Sequence, residues 1–273
     1  MAAARATPSA GDGIPLVVAC VTRERTRALL RAAFPRRRGR LRFCRSAAEF
    51  HRAFTRTLVD VAIVDVGGGA EDAWKAARLA VEFPCTPFYG LTGMRVTDAP
   101  AIARCAESGF ADVLADGVDD TVLRELVVPS AFTARFAAAV SPAREVLGLA
   151  SPTQRRAWRW VVERGGRPVR TDLLAKALGV TREHLSRSFA TDGAPNLKRV
   201  IDLVRVLAAA ELSKCPGYDA ADVARVLEFA SASHLASTAQ RVCGTRAASL
   251  ARLRAGDIIE RFQQGRARSR SRS

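Results

Sequence analysis

Arg182, His184 and Arg187 lie within six positions of one another, and Ser231, Ser233, His234 and Arg241 form a second set about fifty positions on. Guanidinium, imidazole and hydroxyl groups at helical spacing suit hydrogen bonding to base edges. Arginine reads guanine through O6 and N7 with two parallel donors, the commonest specific contact in a major groove. Arg182, on the first turn of its helix, is the residue expected at a base edge. Arg187 has two readings, a base or a phosphate. Ser231 and Ser233 can equally close a helix N-terminus, and His184 and His234 can equally be solvated. Reaction chemistry is sparser. Asp65 ends an apolar run with no acidic neighbour and no lysine nearby. His51 has no nucleophile near it in sequence, and no Ser-His-Asp or paired-carboxylate pattern occurs. Gly67-Gly-Gly69 lacks the lysine of a P-loop and the spacing of a dinucleotide fingerprint, so it reads as a flexible strand-to-helix loop. No catalytic residue, metal ligand or cofactor is expected, and the chain does not read as an enzyme.

Two helix-turn-helix patterns must position the seven binding candidates. The first runs from Thr171 to Phe189. Ala175 is small where two helices cross, Gly179 sits where the turn needs positive φ, and Thr181 can cap the second helix. Leu174, Leu178, Val180 and Leu185 form one apolar seam. The second runs from Asp222 to Leu235, with Ala224, Phe229 and Leu235 in the corresponding places. Between them, Asn196 to Lys214 reads as one helix with Val200, Ile201, Val204, Leu207 and Leu212 on its buried side. At ~1.5 Å per residue it would span nearly 30 Å, close to the ~34 Å repeat of major grooves on one DNA face.

Charge agrees with a polyanionic partner. The 273 residues carry a net charge of +16. Residues 1–140 hold 19 Lys+Arg against 15 Asp+Glu, and residues 141–273 hold 24 against 12, so the excess sits with the helix-turn-helix patterns. Six scattered cysteines with no CxxC read as buried free thiols in a reduced cytoplasm rather than as disulfides or a zinc site. No apolar run nears the ~18 residues that span a bilayer, so no membrane is expected.

The first half alternates strands and helices. Ile14–Val21, Leu41–Cys44, Val59–Val66, Thr86–Thr92 and Ala111–Leu114 read as strands. Helices follow from Arg25 to Ala33, from a Ser46-Ala-Ala-Glu49 capping box to about Arg56, from about Glu71 to Val81, from Ala99 to Glu107, and from Asp120. The expected fold is an α/β doubly wound parallel five-stranded sheet, followed by an all-α domain with two helix-turn-helix motifs. Expected boundaries are a disordered leader at 1–13, the α/β domain at 14–129, a linker at 130–150, the helical domain at 151–262 and a basic disordered tail at 263–273. That tail either adds phosphate contacts or merely solubilises. Ser151-Pro-Thr-Gln154 opens the helical domain, and Gly165-Gly166 ends its first helix.

The α/β half resembles a response-regulator receiver domain. Asp65 falls where receivers place their phosphoacceptor, and Thr92 where they carry Ser or Thr. The acidic pair after the first strand is here Cys20 and Val21, or Val21 and Thr22. The lysine after the fifth strand falls at Asp116, and the proline that follows it at Gly117. The resemblance therefore implies a pseudo-receiver with a vestigial Asp65, since Mg²⁺ needs several oxygens and phosphoryl transfer needs positive charge.

Residues 151–253 are similar to the DNA-binding domain of the AraC/XylS family of transcription regulators. Leu174-Ala175, Gly179, Thr181, Leu185-Ser-Arg187, Phe189 and Gly193 follow the family's first motif. Arg205 and Leu212 follow its connecting helix, and Ala224, Phe229, Ser233, Leu235 and Gly244 its second motif. Glu228, Leu235, Ala239 and Ala247 depart from it. The resemblance implies a cytoplasmic, sequence-specific regulator bound to double-stranded DNA, with the pseudo-receiver regulating or self-associating as a homodimer and RNA polymerase as a further partner. The other readings are a non-specific nucleic-acid or chromosome-associated protein and a phosphorylation-controlled response regulator.

Overall fold

A computed structural model describes residues 14–67, 70–117, 120–189 and 194–270. The expected leader, Gly68-Gly69, Gly193 and the last three residues of the expected tail lie outside the described residues. The first half runs β1 Leu16–Cys20, α1 Glu24–Ala33, β2 Arg40–Cys44, α2 Ala47–Arg56, β3 Val61–Asp65, α3 Glu71–Ala77, α4 Leu79–Glu82, β4 Phe88–Thr92, α5 Ala99–Glu107, β5 Asp112–Ala115 and α6 Asp120–Val127. The helix expected to about Val81 is broken at Arg78, which closes α3 and opens α4.

The strands form one parallel sheet in the order β2-β1-β3-β4-β5. This is the flavodoxin-like doubly wound order, whose ligand crevice lies beyond the carboxyl ends of β1 and β3. Alternation along β1 explains the two-sided core. Val17 and Ala19 pack with Leu30 of α1 and with Leu123 and Val127 of α6. Leu16, Val18 and Cys20 face Phe50, Ala53 and Phe54 of α2 on the opposite side.

The second half runs α7 Phe132–Val140, α8 Ala143–Val146, α9 Pro152–Val162, α10 Thr171–Leu178, α11 Arg182–Ser188, α12 Leu197–Leu212, α13 Ala220–Val226, α14 Ala232–Cys243 and α15 Ala255–Arg270. Residues 130–150, read from the sequence as a linker, carry α7 and α8. Phe132, Phe136, Val140, Leu147 and Leu149 are buried in the same core as α9 and α12. Within the expected tail, residues 263–270 continue α15 as helix.

One apolar core passes from the α2 side of the sheet into the helical half. Phe54 stacks on Phe83 at 4.5 Å, and Tyr218 meets Phe83 edge-on at 4.8 Å. Such ring pairs are worth ~0.5–1.5 kcal/mol beyond the area they bury. Asp60 is the polar hub of this seam. Its Oδ2 accepts from the Leu16 amide at 2.7 Å and from Arg167 Nη2 at 2.9 Å, and its Oδ1 accepts from the Thr133 amide at 3.2 Å. Gly166 lets the chain turn there at φ +83°, where a Cβ would stand 2.3 Å from Ala208 Cβ.

The cysteine expectation is corrected at two of the six positions. Cys20, Cys44, Cys105 and Cys243 are free and buried. Cys85 and Cys215 are bonded to each other across the seam, with Cα atoms 6.4 Å apart. They lie 130 positions apart in sequence, and sequence spacing carries no mark of a pairing at that distance.

Candidate nucleic-acid interface

The first motif forms as its residues dictate. Leu174, Ala175 and Leu178 of α10 are buried. Gly179 closes α10 at φ +68°, and the Val180 amide returns to the Ala175 carbonyl at 3.1 Å. Thr181 Oγ1 then accepts from the His184 amide at 3.1 Å, opening α11. Leu185 and Phe189 anchor α11 inward, which leaves Arg182, Glu183, His184, Ser186 and Arg187 exposed. Neither Arg182 nor Arg187 has a hydrogen-bond or ion-pair partner among the described residues.

The second motif repeats this construction. The Phe229 amide returns to the Ala224 carbonyl at 2.7 Å, and Ser231 Oγ accepts from the His234 amide at 3.1 Å. Glu228 stands where Gly179 stands in the first copy, and it holds φ +54°. A side chain in that left-handed region costs roughly 1–2 kcal/mol. Arg205 secures the turn, donating to the carbonyls of Leu227 at 2.9 Å and Glu228 at 3.2 Å while its guanidinium lies 3.8 Å from the Phe229 ring centre. Burial pulls the Arg205 pKa down from its ordinary value. Arg156 does the corresponding work in the first copy, donating to Leu178 O at 2.9 Å.

The second set of candidates is less free than the first. Ser231 is occupied as a cap. His234 Nδ1 accepts from the Ala230 amide at 3.4 Å, and its ring meets Phe229 at 5.6 Å. Arg241 Nη2 is ion-paired with Asp202 of α12 at 2.9 Å. Ser233 is exposed. The connecting helix α12 has 16 residues, of which 11 are buried. At ~1.5 Å per residue it spans ~24 Å, shorter than expected because Asn196 caps it and Ser213 closes it.

The receiver-like crevice holds a feature that no local pattern announced. Arg23 donates from Nε to Asp65 Oδ2 and from Nη2 to Asp65 Oδ1, both at 2.7 Å. Its Nη1 donates to Asp116 Oδ2, also at 2.7 Å. Asp65 is 5% exposed. Hydrogen bonding to Asp65 raises the Arg23 pKa above its ordinary value. A divalent cation does not fit these residues: both Asp65 oxygens already accept from the guanidinium, and neither Cys20 and Val21 nor Val21 and Thr22 bring a carboxylate where a receiver has its acidic pair. Thr92 is buried, its Oγ1 accepting from the Met94 amide at 3.1 Å. Gly67 lies in the turn between β3 and α3, as the loop reading expects, and it is closely packed there: a Cβ would lie 2.9 Å from Thr92 Cα.

Similarity to known proteins bears on the helical half. Residues 174–252 match the family model of a helix-turn-helix domain, and the domain is of the AraC type. No curated protein matches the chain. Among solved structures, a response regulator from Thermotoga maritima is 21% identical, covers 43% of this chain and 97% of its own, and superposes with a TM-score of 0.38. Full-length FixJ from B. japonicum is 14% identical, covers 68% of this chain and 94% of its own, with a TM-score of 0.37. The receiver-like assignment rests on the strand order itself. The chain thus joins a receiver-like α/β half to a DNA-binding module of transcription regulators. Among the described residues, no helix is long and apolar enough to cross a membrane.

Proposed function

We propose that this protein is a sequence-specific, DNA-binding transcription regulator whose receiver-like half works without phosphorylation. The observation that carries the reading is the exposed face of α11. Arg182 and Arg187 stand there with no partner among the described residues, on a helix whose opposite side is locked by Leu185 and Phe189. Arg182, on the first turn, reads a guanine edge; His184 and Arg187 flank it. The buried rod α12 connects the two motifs, and a footprint of about two helical turns follows where α11 and α14 enter successive major grooves. In α14, Ser233 is the candidate for a base, while Ser231, His234 and Arg241 are engaged within the protein. The second motif therefore acts chiefly on the backbone.

Two arguments support the absence of phosphorylation. Arg23 forks across both oxygens of Asp65, and Asp116 replaces the cationic side chain that a transferring phosphoryl group requires. The receiver-like half then acts through protein contacts, including pairing with a second copy. The non-specific alternative draws on the internally engaged second motif. Selection from random duplexes decides between the two. A specific-to-random affinity ratio of ~10³ or more at physiological salt is expected, whereas a ratio near one overturns the proposal. Incubation with acetyl phosphate and Mg²⁺ should give no Asp65-dependent mass increase.

A further inference from the structure

Arg52 and Arg56 lie one turn apart on α2, exposed, and neither guanidinium has a partner among the described residues. They open onto a cleft of about 620 Å³ lined also by Ala48, His51 and Thr55 of α2 and by Arg225 of α13. Arg225 is fixed in place, donating from Nη1 to the Thr55 carbonyl at 3.0 Å and pairing with Asp222. None of the lining residues is acidic. Like charges four positions apart on a helix repel. Here that cost is concentrated at a concave seam, where a low-dielectric wall focuses the field. The guanidinium fork matches phosphate oxygens in geometry as well as charge.

We infer that this cleft binds a phosphate oxyanion, held jointly by α2 of the receiver-like half and α13 of the second helix-turn-helix. Two sources supply that chemistry. One is the DNA backbone, because the first helix of a helix-turn-helix crosses it and α13 is such a helix. The other is free phosphate. In either case the occupant touches both halves, so its binding reports on the seam. The DNA source rests on the function proposed above; the free-phosphate source does not.

The full chain is compared with the R52Q/R56Q variant. Both side chains are exposed, so equal melting temperatures are expected, and single R52Q and R56Q variants replace the double if it melts early. Binding to a random-sequence duplex is followed from 50 to 200 mM salt, and inorganic phosphate is titrated calorimetrically. A backbone site lowers the salt slope of the double variant by ~1.8, about a 12-fold difference over that range, and each single variant by ~0.9. A free-phosphate site gives a saturable titration that the variant lacks, with unchanged slopes. Equal slopes together with no phosphate titration overturn the inference. Failure of the unmodified chain to bind any duplex overturns the regulator reading instead and leaves the phosphate titration to decide this one.

Discussion

Arg156 and Arg205 occupy the same place in a repeated unit. Each reaches 22 positions forward to donate, at 2.9 Å, to the carbonyl that ends the first helix of a helix-turn-helix: Leu178 O for Arg156 and Leu227 O for Arg205. The same 49-position register relates Ala175 to Ala224, Gly179 to Glu228 and Val180 to Phe229. It becomes 50 at Thr181 and Ser231, because Ala230 is an extra residue in the second turn. The helical half is thus a three-helix unit used twice, α9-α10-α11 and then α12-α13-α14.

The two arginines should differ in worth. Arg156 is exposed, and Arg156→Ala is expected to cost ~1 kcal/mol, a typical net hydrogen bond. Arg205 holds two carbonyls and covers Phe229, so Arg205→Ala should cost ~2–3 kcal/mol. Glu228→Gly should move the other way, gaining ~1 kcal/mol by relieving the left-handed backbone. Urea unfolding of the three variants checks the order. A neutral Arg205→Ala would mean that packing alone holds the second turn.

Across the seam, Arg167 and Asp60 form an ion pair at 2.9 Å with side chains 6% and 0% exposed. Asp60→Asn leaves the Arg167 charge buried without its counter-ion, and a loss of ~3–5 kcal/mol is expected. Arg167→Met combined with Asp60→Asn should lose less than the sum of the two single changes, because the stranded charge is gone. Additive losses in a double-mutant cycle would show that the two residues do not interact.

Much of this architecture is legible in the chain. Short apolar runs mark the five strands because both faces of a parallel sheet are buried, and Gly179 and Thr181 mark the first turn because few residues serve there. The unread features join residues far apart in sequence. Arg23 meets Asp65 across 42 positions and Asp116 across 93. Arg167 meets Asp60 across 107. Hydrophobic periodicity carries no information about such pairs. Arg156 was within reach, since comparing the chain with itself at a shift of 49 sets it on Arg205.

The free thiols give the protein an alkaline limit. Burial pushes Cys20 up to about 12, and Cys44 and Cys105 each up to about 11. In the unfolded chain a thiol titrates near ~8.5. The native state therefore keeps these protons longer. The associated stability is fully present below the unfolded pKa and is lost as pH rises towards 11–12, by up to ~1.4 kcal/mol per pH unit for each thiol. Urea midpoints should fall above about pH 9, and Cys20→Ala should flatten the fall. Alkylation after unfolding should label four cysteines without reductant and six with it; six labels without reductant would contradict the Cys85–Cys215 bridge.

Base reading should separate Arg182 from Arg241. The Arg182 guanidinium has no partner to leave among the described residues, so all of its donors are available to a guanine. Arg241 would first have to release Asp202, which offsets what a DNA contact returns. Arg182→Ala is therefore expected to cost ~1–3 kcal/mol on the preferred duplex and to relax selection at one base pair. Arg241→Ala should change affinity little and leave the selected sequence as it was. Arg187→Ala distinguishes its two readings: a phosphate contact weakens every duplex alike and reduces the salt slope by ~1, whereas a base contact changes the selected sequence. Competition binding against randomised positions measures all three. Equal losses for Arg182→Ala on preferred and random duplexes would move Arg182 to the backbone, and the first motif would then need Arg187 as its guanine reader.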